Sequence, residues 1–422
     1  MAQMSRLLAR IKREPFADFP VADHVNQVLA EGGRVWRTRR LPPLVMLRLF
    51  VIQILSGNCS IVALRQLGGL DFAPSSYCQA RVELPLLLLQ SLLRWMHAQA
   101  ERSLGMATQL IGPQVYIADG SSYSMPDTPE LRQHFNLPPG VQEGVGYPMG
   151  KLMGLLDAAT GMFVSLLALP LFQHDMRGVI GLHAMLRAGD ILLGDRAFCS
   201  FAHLGLLNAQ GVLGCFRLHQ RRQNMSRGLQ RWKKPSVCPA WMNAEQFQRL
   251  PAWLDVRLVC HRIGEKGFRT RHLFIATTLL DEKQWPDEKI ADLYGSRWQI
   301  ETCFGHLKTT MKMNVLKCET VDGVMKELAV YLMAYNLVRL ALLKAARVQG
   351  VSVLRISFVD AMRWLLARMQ GLKGVSRLIV NPDRRGRSQL RVIRRRKQQY
   401  LLLKKPRRQI EQENAAKEAK NA

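Results

Sequence analysis

A chain of 422 residues with 48% hydrophobic content is long enough for two or three domains and can bury a sizeable core, which excludes a disordered protein. Its 60 lysines and arginines against 32 aspartates and glutamates give a formal charge of +28, and a pI near 10.4 makes a polyanion the first partner to expect. Twelve of those cations and no acid lie between Arg384 and Arg408, leaving +16 spread over the rest, which favours a long DNA or RNA track over one basic tail.

The eight cysteines form no C-x-x-C pair, so a zinc ribbon or redox dithiol has little support and a reduced, cytoplasmic setting is expected. The longest apolar runs, Leu44 to Leu55 and Leu84 to Met96, are interrupted by Arg48 or by Pro85, Gln90 and Arg94. Neither reaches the roughly 18 apolar residues of a membrane span, and no membrane association is expected. The opening MAQMSRLLARIKREPF lacks the apolar core and cleavage site of a signal peptide.

Residues 1 to 40 form a basic helical lead-in, either a solvated face or a DNA contact. Pro42-Pro43 opens an apolar helix to Ile54, a second short helix runs from Ile61 to Leu67, and a third follows Pro74. Three short helices with glycine-containing turns are compatible with a helical DNA-binding module, though many helical bundles share the pattern. Leu86 to Leu104 reads as a longer connecting helix.

From Gln114 the period changes. VYIAD is a short apolar run ending in Asp119, followed by the turn-rich GSSYSMPD. After the Gly/Pro-rich NLPPGVQEGVGYP come two strand-like runs, KLMGLLDA and MFVSLLALP, joined around Ala159-Thr160-Gly161. Arg177 to Arg187 reads as a helix, and the run Ile191 to Leu193 delivers Asp195 at its end. Strand, hairpin, helix and strand predict an α/β fold with a mixed sheet, whose sites gather at strand ends.

Asp195 and Glu301 stand 106 positions apart, too far for a simple connection. Strand-like segments at Val212 to Arg217, Val256 to Ile263 and His272 to Leu279 surround a basic stretch, 220 to 234, and predict a β-rich insertion that approaches DNA. Trp232 and Trp241 are candidates to stack on a base, or are ordinary residues of a β-meander. Trp285-Pro286-Asp287 then starts a helix carrying Tyr294, Arg297, Glu301 and Lys308. At about 100° per residue these fall near 0°, −60°, −20° and −40°, one face bearing an acid, two cations and a phenol. Val324 to Ala346 and Leu354 to Met369 read as core helices, and the chain ends in a basic region with an exposed charged tail.

Three carboxylates on separate elements, Asp119, Asp195 and Glu301, suit two Mg²⁺ ions acting in phosphodiester displacement, with Mn²⁺ able to substitute. Spacing alone does not bring them together, and Asp157 and Asp190 are weaker rivals.

The Tyr294-x2-Arg297-x3-Glu301-x6-Lys308 pattern resembles the Y-R-E-K signature of bacterial DDE transposases of the family named for insertion sequence four. The surrounding RWQIE, Asp119 after VYIA, Asp195 in GDRAF, the VGYP segment, YNLVR at 335 to 339 and the basic RRRKQQYLLLKKPR end are also similar, over roughly residues 35 to 408. The family's usual glycine after the Asp-Arg pair is Ala197.

The resemblance implies a ribonuclease-H-like mixed-sheet catalytic core with a β-rich insertion (about 205–280) in residues 106–370. An N-terminal helical DNA-binding domain (1–105) and a basic C-terminal region (371–422) would flank it. It implies Asp119, Asp195 and Glu301 as metal ligands, and Tyr294, Arg297 and Lys308, with Arg196 and Trp298, as DNA contacts. The expected activity is cleavage and strand transfer at inverted-repeat ends of double-stranded DNA, by a homo-oligomer acting in the bacterial cytoplasm at the nucleoid. A non-catalytic DNA-binding regulator and a structure-specific nuclease are the rival readings.

Overall fold

Proline placement and side-chain caps define the first helices of the computed structural model, which describes residues 21–32, 40–103, 113–138, 144–219, 226–262, 272–372, 377–382 and 402–421. Most of the basic lead-in, residues 220–225 of the basic middle stretch and 383–401 of the basic end lie outside the described residues. Helix α1 spans Val21–Glu31 and α2 spans Pro43–Leu55, where a proline in the first turn gives up no intrahelical bond. In α3 (Ile61–Gly68) the Ser60 hydroxyl caps the Ala63 N–H, and Gly69 at φ +61° ends the helix. Helices α4 (Pro74–Glu83) and α5 (Leu86–Ser103) follow.

Next come β1 (Val115–Ser124), α6 (Pro129–Phe135), β2 (Met149–Asp157), β3 (Phe163–Pro170), α7 (Asp175–Gly181), β4 (Ile191–Gly194), α8 (Phe201–Ala209) and β5 (Leu213–Arg217). The chain continues through β6 (Gly228–Lys233), α9 (Ala244–Gln248), β7 (Trp253–Arg262) and β8 (His272–Thr277). All eight strands form one sheet in the order β3-β2-β1-β4-β5-β8-β7-β6. β1, β4 and β5 are mutually parallel, while β2 and β3 run antiparallel beyond β1, a ribonuclease-H-like arrangement. The β-rich insertion continues the core sheet: Val212–Arg217 contributes the fifth core strand, and β8, β7 and β6 extend the same sheet antiparallel from it.

Two further readings shift. The strand expected to end at Asp119 continues to Ser124, because β2 pairs with it from Tyr116 through Ser124 and gives the turn-rich GSSYS residues ladder partners. The helix expected over 177–187 stops at Gly181, with a short 3₁₀ turn at His183–Met185.

Side chains alternate across the sheet, so each strand feeds two cores. Ile117, Leu193, Cys215 and Ile275 face the larger one, whereas Tyr116, Ala118, Leu192, Phe216 and Ala276 face the smaller. The larger core packs under α10 (Asp287–Gly295), α11 (Trp298–Gly305), α12 (Val321–Gln349) and α13 (Phe358–Met369). Phe50, Leu92 and Met96 from the opening helices belong to this same core, so the chain's first helices pack directly on the sheet's covering helices. Helix α12 is long and apolar enough to cross a membrane, but it is mostly buried as the centre of this core.

Buried polar anchors fix these layers. The Glu327 carboxylate accepts from Asn58 Nδ2 at 2.6 Å and from the Lys317 and Cys318 N–H groups, tying the α2–α3 turn to α12. The YNLVR segment grips the β2–β3 hairpin: Asn336 pairs with both backbone groups of Phe163, and Arg339 Nε donates to the Thr160 carbonyl at 2.6 Å. A side chain at Gly161, where φ is +65°, would run into the Arg339 guanidinium. The last helix, α14 (Arg407–Asn421), is held at its start by the Arg407 fork on Asp127.

Candidate active site

Strand register places the first two acids. Ile117 pairs with Leu193 at the last parallel rung between β1 and β4. Asp119 and Asp195 each stand two residues further on, so both project to the face that Ile117 and Leu193 share. That face lies beneath α11. The rivals Asp157 and Asp190 sit at the other end of these strands: Asp157 pairs across from Tyr116, and Asp190 precedes β4, its carboxylate accepting the Arg187 N–H.

Asp195 caps a 3₁₀ turn, Arg196–Phe198, its carboxylate accepting the Arg196 N–H at 2.7 Å. Ala197 lies within this turn without positive φ, so the place usually held by glycine needs none here. Arg196 is exposed beside it.

The segment read as one helix from 287 to 308 is three pieces. At Ser296–Arg297 the ladder tightens to i→i+3 bonds, because the Ser296 hydroxyl takes the Leu293 carbonyl at 2.6 Å. After Gly305 it widens into a π turn, His306–Thr310. The four signature residues consequently leave their ideal common face. Tyr294 points into the core, 2% exposed, with no hydrogen-bond partner for its hydroxyl among the described residues. The Arg297 guanidinium, 5% exposed, lies 3.4 Å from Asp119 Oδ2 and donates to Glu301 Oε1 at 2.8 Å. Lys308 Nζ donates to Ser121 Oγ at 3.1 Å, two residues along β1 from Asp119. Trp298 is half exposed, its ring 4.7 Å from the Arg297 guanidinium.

In the chain by itself, then, Tyr294 and Arg297 do not present their polar groups at a surface where a phosphate would meet them. Arg297 bridges the acids instead. Sequence spacing missed this role because Asp119 is 178 residues away.

The donor set suits a hard divalent cation: three carboxylates from β1, the β4 end and α11, with oxygen ligands only. Burial pushes the Asp119 carboxyl up to about 6, outweighing the Gly120 N–H and the Arg297 cation that lower it, with smaller upward contributions from Asp195 and Glu301. Asp119 thus resists ionisation because it is buried, even with the Arg297 guanidinium between it and Glu301. Burial opposes the Arg297 cation, but Tyr294, Glu301 and Asp119 outweigh it and hold its pKa above normal.

Another grouping, His97, Glu101 and Asp157, brings three potential ligand atoms within 4.8 Å of one another. His97 Nε2 lies 3.0 Å from Asp157 Oδ2, which also accepts from Thr160 Oγ1 at 2.6 Å, while Asp157 Oδ1 accepts the Ala159 N–H. The carboxylate is thus satisfied on both oxygens, and the group joins α5 to the β2–β3 hairpin. A cavity of about 300 Å³ opens beside it at the start of β1, away from Asp119.

On the insertion, Trp232 is buried in the smaller core and Trp241 is half-buried, so neither is the exposed ring expected there. Trp253 is the exposed one, with Lys233 Nζ 5.8 Å from its ring and Arg231 on the same strand face.

A model of the transposase DDE domain family matches residues 111–337. The chain is 24% identical to the transposase InsG for insertion sequence element IS4 of Escherichia coli (strain K12), over 91% of this chain and 92% of that protein. Among solved structures it aligns with the piggyBac transposase in a synaptic complex with hairpin DNA at a TM-score of 0.44 and 10% identity, covering 85% of this chain and 80% of the other.

Proposed function

The chain belongs to the DDE transposase family, and from that premise we propose that Asp119, Asp195 and Glu301 are the catalytic acids of a metal-dependent enzyme that cleaves and joins the ends of its own DNA element. The observation that carries this reading is the Arg297 bridge, which brings an acid of β1 and an acid of α11 to one guanidinium beside the strand end bearing Asp195.

Divalent ions, Mg²⁺ or Mn²⁺ and two per site, would supply activation of the attacking hydroxyl and stabilisation of the departing 3′-oxygen when held by these acids. The chain's own residues do the rest. Arg297 keeps Asp119 and Glu301 close before an ion arrives, and its planar fork can turn to a phosphate once the ion takes over the neutralisation. Lys308, beside Ser121, supplies a point charge to the backbone of the bound end. Trp298 and Arg196 line the approach. Trp253, Lys233 and Arg231 extend the contact along the insertion.

The DNA taken is double-stranded, comprising inverted-repeat ends and then a target, synapsed by a homo-oligomer at the nucleoid in the cytoplasm. Within the chain, residues 1–105 serve the ends, 106–370 the chemistry, and the basic region from 371 further DNA contact.

Labelled element ends mixed with the protein and Mg²⁺ or Mn²⁺ test the reading: nicking and joining are expected, and Glu301→Gln should abolish both. Binding without cutting by the unaltered protein would mark a regulator; cutting without joining would mark a nuclease.

A further inference from the structure

Beneath the Asp195 turn, on the smaller core face, lie two buried histidines that the chemistry above does not use. His183 follows α7 and is 3% exposed; His203 stands in the first turn of α8 and is fully buried. Their Nε2 atoms are 3.0 Å apart, and the rings stack at 13° with centroids 5.1 Å apart. His203 Nδ1 lies 2.7 Å from the Phe198 carbonyl oxygen.

A carbonyl oxygen only accepts, so His203 carries its proton on Nδ1. Its Nε2 is then a bare acceptor, and His183 donates from Nε2. His183 Nδ1 meets no partner among the described residues, as a lone pair in an apolar setting can. Both rings are therefore neutral, and burial lowers the pKa of His183 to about 4 and of His203 to about 3.

The hydrogen bonds continue to the acid. The Phe198 N–H donates to the Asp195 carbonyl at 3.0 Å, closing the turn whose far end His203 holds by the Phe198 carbonyl. A leucine at 203 would fill volume but leave that buried carbonyl unpaired.

We propose that His203, oriented by His183, is a positioning residue for Asp195: its Nδ1–H fixes the 195–198 turn and with it the direction in which the carboxylate meets the divalent ion. This rests on Asp195 being a metal ligand.

Side-chain amides separate the two ring nitrogens. Asparagine at 203 puts an N–H near the place of Nδ1; glutamine puts one near Nε2. In full-length protein, the Mn²⁺ concentration for half-maximal cleavage of element ends should rise about tenfold or more in His203→Gln, the scale of lost outer-shell support. It should stay close to the unaltered value in His203→Asn. DNA binding in EDTA should be the same in both. If His203→Gln does not accumulate folded, His183→Leu, which keeps the Phe198 bond but frees the His203 ring, should show the raised Mn²⁺ midpoint. Equal midpoints for His203→Asn and His203→Gln, or for His183→Leu and the unaltered protein, would overturn the inference. Asp195→Asn serves as the separate arm: if it cleaves with an unchanged Mn²⁺ midpoint, the reading of Asp195 as a ligand fails, and not merely its positioning.

Discussion

Two charged clusters share one sheet, and they are finished differently. At the start of β1, burial works to raise the pKa of Asp157, but the hydrogen bonds from His97 and Thr160 overcome it and hold the carboxyl below its ordinary value. Part-way along the same strand, burial, helped slightly by Asp195 and Glu301, pushes Asp119 up to about 6 despite the Gly120 N–H and Arg297. The first cluster meets its own electrostatic demand and needs no ligand. The second does not, and that unmet demand is the ground on which we propose it, rather than the first, as the site of function.

The contrast breaks most sharply at Glu301. Glu301→Gln should lower strand cleavage by on the order of 10³-fold or more, as when one member of a catalytic unit is lost. Gel-shift affinity for element ends in EDTA should hold. If DNA binding falls and cleavage persists, the division between the acids and the DNA-contacting residues is wrong.

At the closed cluster the effect should fall on the fold. His97→Leu leaves Asp157 buried and without its main partner, at a cost of about 3 kcal/mol in denaturant unfolding. Cleavage per folded molecule should be unchanged. A loss of cleavage without a loss of stability would place this cluster in the chemistry after all.

A third test uses pH. Because the Asp119 pKa is raised in the fold, its neutral form contributes stability that is complete below 3.8 and lost as pH rises through about 6. Metal-free Asp119→Asn should therefore be more stable than the unaltered protein at pH 7.5, by about 3 kcal/mol. That gap should narrow to about half as the pH is lowered to 5. Asp157, with its depressed pKa, stays ionised over this window and adds no slope to it. A gap independent of pH would mean that Asp119 carries no unmet charge.

The smallest effect on the fold belongs to Trp298. Trp298→Ala should change unfolding by no more than about 0.5 kcal/mol, since the ring is half exposed. Affinity for element ends should fall about tenfold if the ring stacks on a base.

How much of this was legible in the sequence varies with the range of the interaction. The strand-end position of Asp195 was readable because a local apolar run, Ile191 to Leu193, leads into it. Asp119 was readable as a candidate, but the strand's continuation through GSSYS depends on pairing with β2, up to 41 residues away in the Tyr116 to Asp157 rung. The Tyr294 to Lys308 face followed from ideal helical spacing, and it fails where Ser296 tightens the helix and the π turn after Gly305 loosens it. Trp232 read as a base-stacking candidate from its basic neighbours, yet its place in β6 turns it into the smaller core. The Asn58 to Glu327 bond spans 269 residues, and no local pattern announces it. His183 and His203 are only 20 positions apart, but their meeting depends on how α7 and α8 pack on the sheet.

The most direct measurement is the anomalous signal of Mn²⁺ in crystals of the chain with an element-end duplex. Density should be held by Asp119, Asp195 and Glu301, with Arg297 released from at least one of its two acids. Density at His97, Glu101 and Asp157 instead, with the Arg297 bridge intact, would contradict that assignment.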